Sequence, residues 1–392
     1  MTDQNHYSIY LIAGEPSGDL LGGRLMAAIK HQAGEDNPIT FHGIGGEKMM
    51  EQGLTSLFPM AELSIMGVAE IVPKLPKLIS RLRQTVTDIK ARRPDMVITI
   101  DAPDFCFRIA AKLQNQGISL LHMVAPSVWA WREGRAQKTA RLFDHLFTLL
   151  PFEPPYFEKY GLETTFTGHP VIEGGADQGE GQGFRRKYKI SNPQKLIAVL
   201  PGSRQGEIKR LLPVFKDSIK TLSSRYPDLV SVMPIAPGRK DLLAPFIHDW
   251  PTKLITTEND REKFDAFAAS DAALAASGTV SLELAMAKTP SLIAYKMNPV
   301  TFWLAKKMIR VRYANLVNIL LDKPAIPEFL QDQCTSENLS LAMTELLSDK
   351  DLQIEQIKNY DRALTFLGQG DNPPSTRAAR QVLSILQKKG RP

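Results

Sequence analysis

Residues suited to binding an anion stand directly after a short apolar run near the middle of the chain. Gly202, Ser203 and Arg204 follow the run 196–200 and precede a stretch with helical apolar spacing, which Pro213 is expected to divide into a short turn and a longer helix. Glycine lets backbone N–H groups approach an anion, and arginine supplies a forked donor that suits a diphosphate. An ordinary strand-to-helix turn with a solvated Arg204 explains the same residues equally well.

A second segment of this kind follows the apolar run 272–276. Gly278 and Thr279 precede an expected helix over 280–288, and Glu283 lies four residues beyond Thr279, on the same helix face. The positive end of the helix suits a phosphate, and Glu283 suits ribose hydroxyls. The ordinary alternative is an N-cap at Thr279 with a favourable acid after it. Two such junctions favour a nucleoside diphosphate, and the lack of a Walker loop or GxGxxG fingerprint argues against an ATPase or a Rossmann dehydrogenase.

Asp101 is the residue best placed for proton transfer. It directly follows the apolar run 96–100, at the end of an expected strand, where partial burial would bring a carboxyl pKa towards the range of a general base. Asp104, three residues later, is expected to cap the helix that starts beside it. Asp101 has no such structural explanation.

The loop after the first apolar run offers further polar groups. Glu15, Ser17 and Asp19 suit sugar hydroxyls, and a plain strand-to-helix turn is equally consistent with them. The seven histidines show no HxH, HExxH or paired spacing, so neither a metal site nor a cofactor is expected. His122 is expected to be a core residue, and His169 to lie near the functional loops.

Parallel strands would position these residues, because both halves of the chain alternate short apolar runs with helical periods. This alternation predicts two α/β domains with parallel sheets and helices on both faces. Loops at the carboxyl ends of such strands are the usual ligand sites. The stretch 174–183 has five glycines in ten residues and separates the halves. The predicted domains are 1–173 and 194–345, joined by a linker at 174–193 and followed by C-terminal helices at 346–392.

Composition narrows the class of protein. Of the 392 residues, 43% are hydrophobic and 23% charged, which is typical of a globular protein. Cys106 and Cys334 form no CxxC pair, which favours a reducing, cytoplasmic setting. No apolar stretch reaches the roughly 20 residues that cross a membrane, so an integral membrane protein is not expected. The net charge of +6 favours acidic partners such as phosphates or anionic lipid heads.

Two stretches, 63–83 and 298–312, are both apolar and basic. Such faces suit a membrane interface, where apolar burial and attraction to anionic lipid heads add. Apolar helix stripes are more commonly core, and that alternative stays open for each stretch. Pro73 and Pro76 are expected to interrupt any helix in the first stretch.

Nine motifs occur in an order that points to one known family. They are AGEPSGD at 13–19, MGVAE at 66–70, IDAPDF at 100–105, PSVWAWR at 126–132, LPFE at 150–153, GHP at 168–170, LPGSR at 200–204, ASGT at 276–279 and TFWLAK at 301–306. Together they resemble the lipid A disaccharide synthases, GT-B-type glycosyltransferases of Gram-negative outer-membrane biogenesis.

The resemblance implies a fold and a reaction. The fold is GT-B, with two Rossmann-like domains facing a cleft and C-terminal helices returning to the first domain. The reaction moves 2,3-diacylglucosamine from UDP-2,3-diacylglucosamine to the 6-hydroxyl of 2,3-diacylglucosamine 1-phosphate (lipid X). It gives a β(1→6) linkage with inversion and releases UDP without a required metal. The resemblance also implies a peripheral protein on the anionic inner face of the inner membrane, with no nucleic-acid partner, and it is compatible with a homodimer.

The resemblance assigns roles to four residues. Asp101 is implied to be the base, and UDP is implied to contact Arg204, Glu283 and Asn318. Asn318 carries no signal of its own in the sequence.

Two other function classes fit part of the pattern. A soluble GT-B enzyme such as a UDP-sugar epimerase would use the nucleotide junctions but not the apolar-basic stretches. A non-enzymatic membrane-surface protein would use those stretches but not Asp101. Co-sedimentation with vesicles would argue against a soluble enzyme, and release of UDP from an acylated donor would argue against a non-enzymatic protein.

Overall fold

The computed structural model describes residues 6–34, 38–63, 68–131, 133–235, 238, 240–298, 302 and 311–389. The chain forms two compact units. The first comprises Met1–Pro170 with Gly370–Pro392, and the second comprises Val171–Gln369.

The first unit is built on seven parallel strands. They are β1 (Tyr7–Ala13), β2 (Ile39–Ile44), β3 (Thr55–Ser56), β4 (Met96–Ile100), β5 (Ser119–Met123), β6 (His145–Thr148) and β7 (Glu163–Phe166). Their order in the sheet is β3-β2-β1-β4-β5-β6-β7. Because Ala13 at the end of β1 lies opposite Ile100 at the end of β4, the loops that carry Glu15 and Asp101 leave the same edge of the sheet.

Helices cover both faces of this sheet. In the first part of the chain they are α1 (Pro16–Ala33), α2 (Glu47–Glu51), α3 (Val68–Arg92), α4 (Pro103–Leu113), α5 (Gly134–Leu142) and α6 (Pro154–Glu158). Alternate side chains of β1 enter two different cores, since Ile9 and Leu11 pack with α1, whereas Tyr10 and Ile12 pack with α3 and α4. Burial on both faces explains why the strands are continuous apolar runs.

The second unit repeats this plan with six parallel strands. They are β8 (Leu196–Leu200), β9 (Val230–Pro234), β10 (Lys253–Thr257), β11 (Ala272–Ala276), β12 (Ser291–Tyr295) and β13 (Glu328–Leu330). Their order is β10-β9-β8-β11-β12-β13. Since β8 and β11 are neighbours, with Leu200 opposite Ala275, the segments 202–204 and 277–279 also leave one edge together.

The remaining helices complete both units. They are α7 (Gly181–Lys187), α8 (Gln205–Arg225), α9 (Lys240–Ile247), α10 (Asp260–Ala269), α11 (Val280–Met286), α12 (Leu316–Leu321), α13 (Ser336–Ser348), α14 (Lys350–Phe366) and α15 (Pro374–Lys389). On one face of the second sheet, Val199 packs with Phe215 of α8 and Met343 of α13. Helix α15 belongs to the first unit, where its Val382 shares a core with Leu25 of α1. The predicted α/β class with two parallel sheets is confirmed.

The structure differs from the predicted domain boundaries in two places. The segment 174–193, predicted to be a linker, contains the 3-10 turn Ala176–Gln178 and α7, and it packs against α10. A Cβ on Gly179 would lie 2.2 Å from the carbonyl oxygen of Phe264, so this glycine allows close backbone packing. Of the C-terminal helices predicted to return to the first domain, α14 lies in the second unit and α15 in the first.

The prediction that prolines interrupt two helices was wrong. Helix α3 runs through Pro73 and Pro76, and α8 runs through Pro213. The proline ring fixes φ near the helical value, so a helix can continue through proline at the cost of one backbone hydrogen bond. In α8 the buried side chains of Leu212 and Phe215 anchor the helix on either side of the proline.

Candidate nucleotide site and candidate catalytic base

A cavity of about 590 Å³ opens at the carboxyl ends of β8, β9, β10 and β11 in the second unit. This volume is typical of small-molecule sites, and this edge is where parallel sheets bind ligands. Both predicted junctions contribute to the lining, through Gly202, Ser203, Arg204, Gly278, Thr279 and Glu283.

The turn at 202–204 requires its glycine and supplies positive groups. Gly202 has a φ of +93°, and a Cβ there would lie 2.5 Å from Glu207 Oε2. The turn leads into α8, whose N-terminus carries a partial positive charge. There the Arg204 N–H donates to Glu207 Oε2 at 3.4 Å, and the Glu207 N–H donates to the Arg204 carbonyl at 3.0 Å. The Arg204 guanidinium is 3.2 Å from Glu207 Oε1 and its side chain is 69% exposed. Because exposed ion pairs contribute little, an anion in the cavity can compete for Arg204.

Glu283 forms a half-buried ion pair within the same lining. Lys263 Nζ lies 3.1 Å from Glu283 Oε1 and 3.0 Å from Asp260 Oδ1. Burial raises the pKa of Glu283, and the neighbouring Lys263 opposes part of that rise. A carboxylate offers about four lone-pair sites, so Glu283 can hold Lys263 and still accept from a ligand hydroxyl.

Sequence reasoning missed part of this lining. Ile235, Leu243 and Phe267 add apolar surface, and Thr257 adds a hydroxyl. Thr257 is 1% exposed, and its Oγ1 has no hydrogen-bond partner in the described part of the chain. A buried hydroxyl without a partner is costly, so a ligand that supplies one would be stabilised there. The only sequence signal for Thr257 is its position at the end of a strand of the same sheet.

Helix α11 is shorter than predicted, because it ends at Met286 and not at Lys288. Thr279 occupies its N-cap position without a side-chain capping hydrogen bond, so the capping explanation for this hydroxyl was wrong. A helix of two turns supplies little dipole. The helix whose positive end can stabilise an anion in this cavity is therefore α8.

The structure does not bring Asn318 to the cavity. Asn318 is fully buried, its Nδ2 donates to the Ile326 carbonyl at 2.8 Å and to Glu328 Oε1 at 3.1 Å, and its Oδ1 accepts from the Ile326 N–H at 2.8 Å. These bonds fix the segment that enters β13. Asn318 is absent from the described lining that Arg204 and Glu283 share.

Asp101 lies at the end of β4 in a strained turn of the first unit. Its φ is +52° and that of Ala102 is +45°, a conformation that costs a non-glycine residue roughly 1–3 kcal/mol. The Asp101 N–H donates to the Met123 carbonyl at 3.0 Å. A Cβ on Gly14 would lie 2.8 Å from the Ala102 Cβ, so glycine is needed where the first loop meets this turn. Backbone strain of this kind concentrates at functional sites.

The environment of the Asp101 carboxyl suits a proton acceptor. Burial raises its pKa, and the Ala102 N–H opposes part of the rise. No cation in the described residues counteracts this effect, so the carboxylate is more basic than an exposed one. Asp104 does not cap α4, contrary to prediction, because the N-cap residue is Ala102 and makes no side-chain bond.

Asp19 has a structural role that the sequence did not indicate. Its buried carboxylate accepts from the backbone N–H groups of Gly46 at 2.7 Å, Lys48 at 3.0 Å and Met49 at 3.1 Å. It thereby satisfies the free N–H groups at the start of α2, which leaves little capacity for a sugar hydroxyl. Ser17 is exposed in the first turn of α1.

Two histidines near these loops are buried and neutral. His122 is a core residue, as predicted, with Nδ1 2.7 Å from Thr99 Oγ1 and its ring stacked on Phe143 at 4.9 Å. Burial lowers the pKa of His122 to about 3 and that of His169 to about 4. The described residues contain no group of three His, Cys, Asp or Glu side chains that could hold a metal.

Helix α3 exposes apolar side chains beside basic ones. Leu75 and Ile79 are 45% and 43% exposed, whereas Ile89 of the same helix is buried in the core. Glu62 pairs with Arg81 at 2.6 Å, which offsets part of the positive charge of this face. The core alternative holds for the part of α3 around Ile89, and the membrane-facing interpretation of the exposed part stays a prediction.

The other apolar-basic stretch, 298–312, lies outside the described residues except for 298, 302, 311 and 312. In the parts of the chain that the structure describes, no helix has both the length and the apolar character needed to cross a bilayer.

Known structures share the fold of the whole chain. UDP-GlcNAc 2-epimerase from Neisseria meningitidis bound to UDP-GlcNAc aligns with a TM-score of 0.61 and 12% identity, over 98% of this chain and 100% of that one. A glycosyltransferase from Rickettsia africae ESF-5 aligns with a TM-score of 0.57 and 13% identity, over 99% of each chain. At these identities the likeness concerns the fold alone, and it confirms the GT-B class.

Sequence comparison is more specific. Lipid-A-disaccharide synthase from Rhodospirillum centenum is 53% identical over 383 residues, which cover 97% of this chain and 95% of that protein. The enzyme of the same name from Paramagnetospirillum magneticum is 48% identical over 384 residues, covering 97% and 98% of the two chains. The family model for lipid-A-disaccharide synthetase matches residues 9–383. The chain therefore belongs to the lipid-A-disaccharide synthetase family and is a glycosyltransferase.

Proposed function

We propose that this enzyme transfers 2,3-diacylglucosamine from UDP-2,3-diacylglucosamine to the 6-hydroxyl of lipid X. The products are the β(1→6)-linked tetraacyl-disaccharide 1-phosphate and UDP. The observation that carries the proposal is the cavity of the second unit, where the segments 202–204 and 277–279 and several apolar side chains line one space. The chain belongs to a family whose name describes this reaction.

The lining of this cavity matches the parts of UDP. The Gly202 turn and the start of α8 offer N–H groups and Arg204 to the diphosphate. Glu283 retains acceptor sites for the ribose hydroxyls. Phe267 and the other apolar residues suit the uracil ring, and the unpaired Thr257 hydroxyl can bond to a polar atom of the nucleoside.

Asp101 is the proposed base. The hydroxyl oxygen of the acceptor attacks the anomeric carbon of the donor from the side opposite UDP, and the C–O bond to the diphosphate breaks as the new C–O bond forms. The hydroxyl proton passes to the Asp101 carboxylate, and UDP leaves with the electron pair. This displacement converts the α-linked phosphate into a β-glycoside.

The second unit stabilises the charge that develops on the leaving diphosphate. Arg204 is a charge-assisted donor, and the N-terminus of α8 adds fixed positive dipole. Because these groups are in place before reaction, little reorganisation is needed in the transition state.

We further propose that the enzyme works at the inner face of the inner membrane as a peripheral protein. Leu75 and Ile79 supply exposed apolar surface on α3, next to the basic residues of that helix. This combination supports binding to an anionic lipid surface.

A product assay tests the function. The wild-type enzyme is incubated with both acylated substrates in neutral detergent without added metal, and UDP and the lipid product are quantified. We expect equimolar UDP and a disaccharide whose anomeric proton coupling identifies the β linkage. A product with the α linkage contradicts inversion. UDP release that does not depend on lipid X contradicts the proposed acceptor.

A further inference from the structure

A second, smaller cavity lies in the first unit between the start of α4 and α5. Its volume of about 170 Å³ equals that of about six water molecules in the liquid, which suits a phosphate group and is too small for a nucleotide. Pro103, Asp104, Phe107 and Arg108 line it from α4, and Arg135 and Lys138 line it from α5.

Three cations face one carboxylate in this lining. Arg135 and Lys138 are three residues apart on α5 and share a face, while Arg108 and Asp104 belong to α4. None of these four side chains forms a hydrogen bond or ion pair within the described ranges. Arg135 lies over the Trp131 ring at 5.4 Å. The lining therefore has a net charge of +2 that the described side chains do not neutralise.

Arg108 and Lys138 are exposed and Arg135 is half-buried, and none of the three has an acid partner in the described ranges, whereas two less exposed cations of the second unit do. Arg185 pairs with Asp271 at 2.7 Å, and Lys263 pairs with Glu283 at 3.1 Å. Arg108 has an acid four residues before it on α4, within reach of a helical ion pair, and does not pair with it. Cations that converge on a concave surface without partners indicate an anionic ligand.

The floor of the cavity is a packed apolar side chain. Phe107 is 6% exposed, and its ring packs edge-on against His122 with centroids 5.2 Å apart. This packing fixes the part of α4 that carries Arg108.

The cavity adjoins the proposed base. Pro103 follows Asp101 by two residues, so their Cα atoms are no more than about 7.6 Å apart. A sugar phosphate that presents a hydroxyl to Asp101 would place its phosphate in this neighbourhood. A phosphomonoester carries a charge of about −1.5 to −2 at neutral pH, which matches the charge of the lining.

We propose that this cavity binds the 1-phosphate of the acceptor sugar through Arg108, Arg135 and Lys138. The inference rests on the proposed function, in which both substrates carry phosphate. The larger cavity accounts for the diphosphate of the donor, and the phosphomonoester of the acceptor then needs a site of its own.

Steady-state kinetics in neutral detergent tests the proposal with the double variant Arg108→Gln/Lys138→Gln. Lys112→Gln, an exposed change on the same helix and outside the lining, is the matched control. Acceptors with and without the 1-phosphate are compared. We expect the double variant to raise KM for the phosphorylated acceptor about tenfold or more, because charge-assisted contacts are lost. KM for the donor, KM for the dephosphorylated acceptor and the melting temperature should stay unchanged. If the double variant melts early, Lys138→Gln alone serves the same comparison.

Each other outcome overturns the proposal in a recognisable way. An unchanged KM for the phosphorylated acceptor, with normal UDP release, overturns this phosphate site and leaves the proposed function intact. Failure of the wild-type enzyme to release UDP with either acceptor overturns the proposed function and this proposal together. Loss of binding to phosphatidylglycerol vesicles, with an unchanged KM in detergent, assigns the cavity to lipid headgroups instead of the acceptor.

Discussion

The two units share one plan of parallel strands and covering helices, yet they treat charge differently. In the second unit the charged side chains of the cavity are paired with each other, as Arg204 is with Glu207 and Lys263 with Glu283. In the first unit Asp101 has no cation partner in the described residues and lies on strained backbone. A charged side chain that is paired at the surface can exchange its protein partner for a ligand. A carboxylate without a cation partner keeps the raised pKa that suits a base. This difference agrees with the proposed function, in which the second unit binds the nucleotide and Asp101 of the first unit accepts the proton.

The largest expected effect comes from Asp101→Asn. Asparagine fits the same left-handed conformation but cannot accept the proton as a carboxylate does, so turnover should fall about 10²–10⁴-fold. Protection of the enzyme from heat by UDP should stay at the wild-type level, because the cavity proposed to bind the nucleotide belongs to the second unit. The two measurements are UDP release and a melting curve with and without UDP.

Two results would break this assignment. Normal turnover of Asp101→Asn moves the role of base to another group, and Glu15 is then the remaining carboxylate of the neighbouring loop. Loss of UDP protection together with turnover makes Asp101 a residue of the nucleotide site. His169 and Asp19 are weaker substitutes, because one is buried and neutral and the other is occupied by three N–H donors.

The first unit should also be the more sensitive to mild acid. The folded-state pKa of His122 is about 3, against about 6.5 for an exposed histidine. Between these pH values the unfolded chain binds a proton at this residue and the folded unit does not. Stability is therefore lost as the pH falls from about 6 towards 4, at about 1.4 kcal/mol per pH unit. The lowered pKa of His169 also reduces stability as the pH falls. Burial raises the pKa of Glu153 to about 7, so this group instead adds stability as the pH falls.

The variant His122→Phe isolates this contribution. It keeps an aromatic ring against Phe143, and Thr99 Oγ1 retains its hydrogen bond to the Leu121 carbonyl. Hydrogen exchange of peptides within 96–123, corrected for intrinsic rates, should lose about 50-fold less protection between pH 6.5 and 4.5 than in wild type. At pH 7.5 any difference in protection between His122→Phe and the wild type reflects packing alone. An equal loss of protection in both proteins contradicts a buried neutral His122.

Local sequence patterns predicted much of the fold and the positions of the main candidate residues of both units. Each apolar run followed by glycine or aspartate became a strand followed by a loop at one sheet edge, because the alternation of strand and helix leaves a parallel sheet few alternatives. Asp101 and the Gly202 turn were found in this way. Both are tied to a position in a local pattern.

The residues that sequence reasoning misplaced depend on contacts distant in sequence. Asp19 binds N–H groups 27 to 30 residues away, which no local spacing shows. Thr257 joins the cavity only because its strand is placed at the sheet edge by pairing with β9. Gly179 lies in a stretch that resembles a flexible linker, since glycine serves close packing as well as flexibility.

Removal of Arg204 tests whether the cavity of the second unit binds UDP. Arg204→Ala deletes a charge-assisted contact to the diphosphate, so the Kd for UDP should rise about tenfold and the heat protection by UDP should shrink accordingly. Lys209→Ala on the same helix is exposed, removes the same charge and lies outside the cavity lining, so it should bind UDP as wild type does. Equal weakening in both variants would show that only net charge matters, and equal affinity in both would exclude Arg204 from the nucleotide site.

The smallest expected effect concerns the exposed apolar side chains of α3, which we propose to contact lipid. Leu75 is 45% exposed, so Leu75→Ser removes surface that is available to lipid and little that belongs to the core. Completing the burial of such a side chain contributes about 1 kcal/mol, so vesicle affinity should fall about fivefold while the melting temperature changes little. Co-sedimentation with anionic vesicles at low and high salt measures this, and binding should weaken with salt because screening reduces the attraction of the basic side chains. A large drop in melting temperature with unchanged vesicle binding would instead assign Leu75 to the core, where Ile89 lies about four turns further along α3.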